Sequence, residues 1–317
     1  MNDQNAGQSG AGCPRAAKTI SVILTLGMLL SCAPSEQEIS APATVTTASA
    51  SAIEGRANPK GGPRGRPVYR RAAKRGRGSL KVVYGRLTSP HRKEIEKIFQ
   101  EERLFEDVVD SLNETLVLPS NVEIRLVECE EANAFYVPDE KAILLCYEGF
   151  EHMLELFSTG QTEAENEEAA SKAVGALVFT FYHELGHALI DVYDLPITGR
   201  EEDAVDQLAT VMLLETWEGE ESEHSILASA EAFELDAGDS DQSDMADEHS
   251  LDQQRYYNLV CWIYGSDPEY FEEVAKEWEL PPARAERCSS EYARMSAAWS
   301  TLLGPHMRPA VEPATAP

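Results

Sequence analysis

From Leu80 onward, apolar positions recur in two rhythms, and the elements follow from them. Leu80 to Tyr84 predicts a first strand. Thr88 as N-cap and Pro90 in the first turn open a helix over 90–112. Along it Ile95, Ile98, Phe99, Leu104, Phe105, Val108, Val109 and Leu112 return at helical spacing. Val122, Ile124 and Leu126 alternate with Glu123 and Arg125, the pattern of a strand with one face on a core. Two short strands, 133–137 and 142–147, are joined by Pro138-Asp139-Glu140-Lys141 as a turn. The rhythm then stays helical over 149–157, 167–192, 200–217, 223–235, 250–264, 268–279 and 283–303. Strands first and helices afterward predict an α+β domain over 79–308: a small antiparallel or mixed sheet, then a mainly helical part.

Composition adds limits. An apolar share of 43% supports a core and excludes collagen-like, coiled-coil and wholly disordered chains. The net charge of −28 is unevenly spread: residues 55–93 hold 13 Lys/Arg and no acid, whereas 94–317 hold 12 Lys/Arg against 51 Asp/Glu. Such an acidic globule repels phosphate, so no nucleic acid is expected as its partner.

The first 31 residues have the order of an export signal. Arg15 and Lys18 precede an apolar run, Thr19 to Leu30, too short to span a bilayer as a mature helix. Leu29-Leu30-Ser31-Cys32 resembles the bacterial lipobox, which implies cleavage before Cys32, its lipidation, and an exported, membrane-anchored protein. Residues 32–78 are too poor in aliphatic side chains to build a core and are expected as a flexible, basic tether, able to lie on anionic lipid or simply to act as a spacer. Residues 309–317 are expected as a disordered tail. Four cysteines remain in the globular part, an even number that suits an oxidising compartment. Cys129 and Cys146 flank consecutive strands, Cys261 and Cys288 lie on nearby predicted helices, and these are the expected pairs.

The chemistry lies in AVGALVFTFYHELGHALIDV, an almost wholly apolar helix carrying His183, Glu184 and His187. Histidines four apart share a helix face, so both imidazoles can reach one cation, with Glu184 beside it to take a proton from water. Burying three polar groups in an apolar helix costs several kcal/mol unless something pairs with them, and a divalent ion would. A zinc site of this kind needs a third protein ligand and an open position. Glu202, on the next helix, is the preferred ligand, and Asp206 one turn later is the carboxylate expected to hold a histidine's other nitrogen. Glu201 is the rival ligand; its distance from Thr198 also fits a capping box. Asp203 is expected to face outward.

HELGH followed by Glu-x-x-x-Asp resembles the gluzincin metallopeptidases, and Asn133-Ala134-Phe135-Tyr136 resembles the edge strand those enzymes lay beside substrate. The chain over roughly 80–305 is similar to a bacterial family of putative metallopeptidases, through NAFYVPDEKAILLCYE, HELGHALIDVYDLPITGREEDAVDQLAT and DEHSLDQQRYYNLVCWIYGSDP. The resemblance implies a zincin-like fold, a Zn2+ ion held by His183, His187 and Glu202, and hydrolysis of a peptide or protein substrate with Glu184 as general base. Asn133 and Ala134 would line the bound peptide. The same similarity singles out His249, Arg255 and Tyr256 as candidates to stabilise the oxyanion, with Arg255 or Tyr256 preferred as catalytic groups.

The remaining histidines, His91, His152, His224 and His306, read as surface or loop residues, and the acidic run over 236–248 as a solvated lid. Two further readings stay open: a non-catalytic zincin-fold lipoprotein serving as a binding or structural module, and a zinc hydrolase acting on a non-peptide amide. The intact Glu184 favours an enzyme, because a purely structural ion needs no base beside it.

Overall fold

The computed structural model describes residues 78–158, 162–216, 220–237 and 248–309. The signal segment, Cys32, nearly all of the tether and tail, and most of the acidic run lie outside the described residues.

Four strands make one mixed sheet in the order β1-β2-β4-β3: β1 (Leu80–Tyr84), β2 (Val122–Val127), β3 (Ala134–Val137) and β4 (Ala142–Cys146). β1, β2 and β4 run parallel; β3 returns antiparallel along β4, with Phe135 opposite Leu144 and Tyr136 opposite Ile143. The expected mixed α+β organisation is therefore present. In β2 the buried residues are Val122, Ile124 and Leu126, as the alternation requires, while the inner strand β4 buries four of its five residues.

The single helix expected over 90–112 is two: α1 (Pro90–Glu101) and α2 (Glu106–Thr115). Arg103 between them has φ of 54°, a left-handed conformation that ends the first helix. The apolar spacing survives the break because Phe105 is buried at the corner and Val108, Val109 and Leu112 continue inward. The N-cap of α1 is Ser89 rather than Thr88; Ser89 Oγ accepts from the Arg92 amide, while Thr88 is held by Glu128. α3 (Tyr147–Phe157) follows β4 directly. Arg92 ties it back to α1, reaching Glu151 at 2.7 Å and Glu148 at 2.6 Å.

The helical part is α4 (Glu163–Tyr193), α5 (Glu201–Thr216), α6 (Glu220–Asp236), α7 (Asp252–Ser266), the short α8 (Glu272–Glu277) and α9 (Pro282–Leu303). α4 starts four residues before the expected 167, because Thr162 and Glu165 form a capping box. By length and hydropathy α4 could cross a membrane, yet its most apolar window is 89% buried inside the protein, which makes it the core helix. It packs against β3 and β4 on one side and against α5 and α6 on the other. Both disulfides join the expected partners, Cys129–Cys146 and Cys261–Cys288. The first fastens the loop before β3 to the end of β4; the second fastens α7 to α9 across α8.

Candidate metal centre

α4 presents His183, Glu184 and His187 to a cleft of about 800 Å³, bounded on the far side by β3 and on the near sides by α3, α5, α6 and the segment leading into α7. Gly186 is what lets α5 close on this helix. A β-carbon there would stand 2.8 Å from the Val205 side chain, so only glycine permits the approach.

That approach puts the α5 carboxylates among the imidazoles. Glu202 Oε2 lies 3.1 Å from His183 Nε2, 3.3 Å from His187 Nε2 and 3.2 Å from His249 Nε2. The other ring nitrogens are also engaged: His183 Nδ1 is 2.7 Å from Asp206 Oδ1, and His187 Nδ1 is 2.9 Å from Glu201 Oε1. A carboxylate accepting from Nδ1–H fixes the tautomer and leaves the Nε2 lone pair turned inward. Ligand atoms of His183, Glu202 and His249 all lie within 4.8 Å of one another. Imidazole nitrogens around a carboxylate oxygen, with the two α4 rings held from behind, are the donor set a borderline dication such as zinc takes. The residues present fit a divalent ion.

The electrostatics follow from this crowding. Burial raises the Glu202 carboxyl, but its three histidine contacts outweigh that and hold it far below the usual range. Burial likewise pulls His187 down, yet Glu202 and Glu201 prevail and lift it to about 9. His183 is also raised, its burial outweighed by Asp206 and Glu202. Glu184 behaves differently: burial raises its pKa, and the adjacent His183 and His187 only partly offset this. Its carboxylate accepts the backbone N–H of Tyr136, so the proton-transfer candidate is tied to the edge strand.

Behind His183, Asp206 is gripped by Arg255, whose Nε and one terminal nitrogen lie 2.9 Å from its two oxygens. Burial alone would raise Asp206; Arg255 and His183 hold it well below its ordinary value. Arg255 also lies 3.9 Å over the Phe233 ring. Arg255, expected as a catalytic candidate, lines the cleft with Asp206 on one side and the Phe233 ring on the other.

The sequence expectations are thus redistributed. His183, Glu184, His187, Glu202 and Asp206 come together. Glu201 stands behind His187, and Thr198 makes no side-chain hydrogen bond with it. Asp203, expected to face outward, accepts from Ser250 Oγ at 2.6 Å. Tyr256, expected as a catalytic candidate, is not among the residues lining the cleft; its hydroxyl donates to Trp278 O. The residue underweighted was His249, whose backbone carbonyl accepts from Arg200 at 2.7 Å, fastening this segment to the start of α5. His224 is not in a loop but on α6, packed against Ser171 of α4 at 2.9 Å.

β3 brings its free edge to this centre. The Cys146 amide donates to Asn133 O, so Asn133 turns its backbone toward β4, and by alternation Ala134 and Tyr136 turn theirs outward. Asn133 Oδ1 occupies the Ala134 N–H at 2.8 Å.

Fold and site together define an α+β domain with a histidine–carboxylate centre able to hold a metal ion beside an open sheet edge. Residues 84–303 match the model of a family described as "Putative metallopeptidase", and the chain belongs to that family. No curated protein and no solved structure matches the chain.

Proposed function

We propose that this chain is a zinc-dependent peptidase of zincin-like architecture. The observation that carries this reading is the arrangement of two α4 imidazoles and the Glu202 carboxylate, backed by Asp206 and Glu201, with Glu184 alongside. His183, His187 and Glu202 are the ligands. Zinc, when bound there, acidifies a water and polarises the scissile carbonyl. Glu184 takes the proton of the attacking water and delivers it to the leaving amine; its raised affinity for a proton suits that shuttle. His249, partly exposed across Glu202 from α4, donates its N–H to the carbonyl oxygen as negative charge builds there. An extended peptide lies along β3 and pairs with the outward carbonyls of Ala134 and Tyr136. Asp206, locked by Arg255, keeps His183 in the right tautomer.

The protein acts outside the cytoplasm, anchored through Cys32. Two disulfides in the folded part and the apolar run ending at Cys32 support this. Mass spectrometry of the mature N-terminus tests it: a diacylglyceryl-cysteine is the expected result, and an unmodified terminus elsewhere overturns the anchor.

The test of the chemistry is metal analysis with a peptide-hydrolysis assay on wild type and Glu184→Gln. The variant is expected to keep one zinc per chain and to lose at least about 100-fold in turnover, the usual contribution of a general base. Equal hydrolysis by both proteins removes the mechanism and leaves a non-catalytic binding module as the better account.

A further inference from the structure

The cleft runs along a stripe of α4 from Ala176 and Thr180 through His183 and His187 to Asp191. At 1.5 Å per residue that stripe is about 22 Å long, room for about six or seven extended residues. Apart from the histidines and Arg255, the charged groups on its walls are acidic. Asp191, Asp194 and Glu201 lie toward one end, and Asp236 and Glu248 stand across from α4. The one Lys or Arg among the lining residues is Arg255, already committed to Asp206. Asp191 pairs with Lys141 and Asp236 faces His152, but among the described residues neither Asp194 nor Glu248 has an ion-pair partner, so part of the cleft's negative charge is left uncompensated.

A second observation is independent of this charge. Where α3, α4 and α6 meet, Met153, Leu177 and Phe233 form an apolar lining. Ser229 also lines the cleft, 4% exposed, and among the described residues its hydroxyl has no hydrogen-bond partner. A shielded hydroxyl left unsatisfied is destabilising, and a polar group arriving with a ligand would relieve it. A side chain with a long aliphatic stem and a charged N–H tip matches an apolar wall, a lone hydroxyl and an acidic rim.

Resting on the peptidase reading, we propose that this cleft takes cationic peptide segments, with one lysine or arginine side chain laid against Met153 and Leu177 and donating to Ser229. The remaining basic residues of the peptide meet the rim carboxylates.

The experiment is fluorescence anisotropy with the zinc-loaded full-length chain carrying Glu184→Gln. Labelled octapeptides containing lysine or arginine are compared with norleucine or citrulline isosteres of the same length. The basic peptides are expected to bind at least about tenfold tighter, and raising salt should erode the difference. Combining Asp191→Asn, Asp194→Asn, Asp236→Asn and Glu248→Gln should erase most of the preference. Neutralising four acids that do not line the cleft, Glu114, Glu269, Glu277 and Glu286, should leave it within about twofold. Ser229→Ala should reduce the lysine-over-norleucine preference at one peptide position, with binding of the neutral peptide unchanged. Equal binding of the isosteres, or equal loss in the remote variant, overturns the proposal. Wild-type hydrolysis read in parallel separates the two ideas. Cutting without charge preference sinks this inference and keeps the peptidase, whereas charge-selective binding without cutting keeps the inference and sinks the peptidase.

Discussion

Glu201 and Glu202 are adjacent and chemically identical, and a residue count from His187 does not separate them. Their positions on α5 do: a 100° step around the helix turns Glu202 onto three Nε2 atoms and Glu201 onto the back of His187. Glu202→Ala is therefore expected to abolish tight zinc binding. Glu201→Ala should weaken it by about 10- to 100-fold, as loss of a supporting carboxylate does. Competition against a chromophoric chelator measures both; zinc retained in the first variant and lost in the second would reverse the assignment. His249→Ala distinguishes a ligand from an oxyanion donor. Turnover should fall by about 100-fold while zinc affinity stays within a few-fold. A large loss of affinity would instead make His249 a ligand. The two histidines of HELGH and their intervening glutamate were legible from spacing alone. His249 was not, because it lies 47 positions along the chain from Glu202, and no local pattern records a contact across that separation.

At the scale of elements, the contact of α4 with α5 governs the centre. Gly186 permits it, and Val205 fills the space a β-carbon would need. Gly186→Ala is expected to destabilise the fold by about 1–3 kcal/mol through overpacking and to weaken zinc binding, since α5 must shift with its carboxylates. Adding Val205→Ala should restore a good part of both. Denaturant unfolding and the chelator competition read the pair, and no recovery in the double variant would refute this account. The same scale shows why 90–112 reads as one helix: periodicity reports which side faces the core, and the Arg103 turn leaves that side unchanged. The mixed sheet order was equally out of reach, since β1 and β2 are joined only through α1 and α2.

For the whole molecule, acid sensitivity follows from the carboxylates that fasten its N-terminal half. Glu148 is raised by burial but pulled below its ordinary value by the amides of Cys129 and Glu130 and by Arg92. A group lowered on folding contributes stability that is complete above about pH 4.5 and fades as pH falls through its folded value. Glu148→Gln should therefore cost about 1.5–3 kcal/mol at pH 7, the worth of a charged hydrogen bond. The difference from wild type should shrink below pH 4.5, the ordinary value of this carboxyl. Urea midpoints across that range check the sign, and a difference that grows on acidification would contradict it.

Local chemistry decided a good deal without any fold. Period two and period 3.6 marked most elements, the HELGH spacing placed two imidazoles on one face, and an even set of cysteines in sequence order suggested the right pairs. These are properties of neighbouring residues, which a linear chain displays directly. Packing decided the rest. That α5 could come within reach of α4, that Arg255 turned to Asp206 and Tyr256 to Trp278, and that His249 returned to Glu202 all depend on which surfaces bury each other. Such choices are settled by contacts between distant segments, so they exist only once the chain has closed on itself.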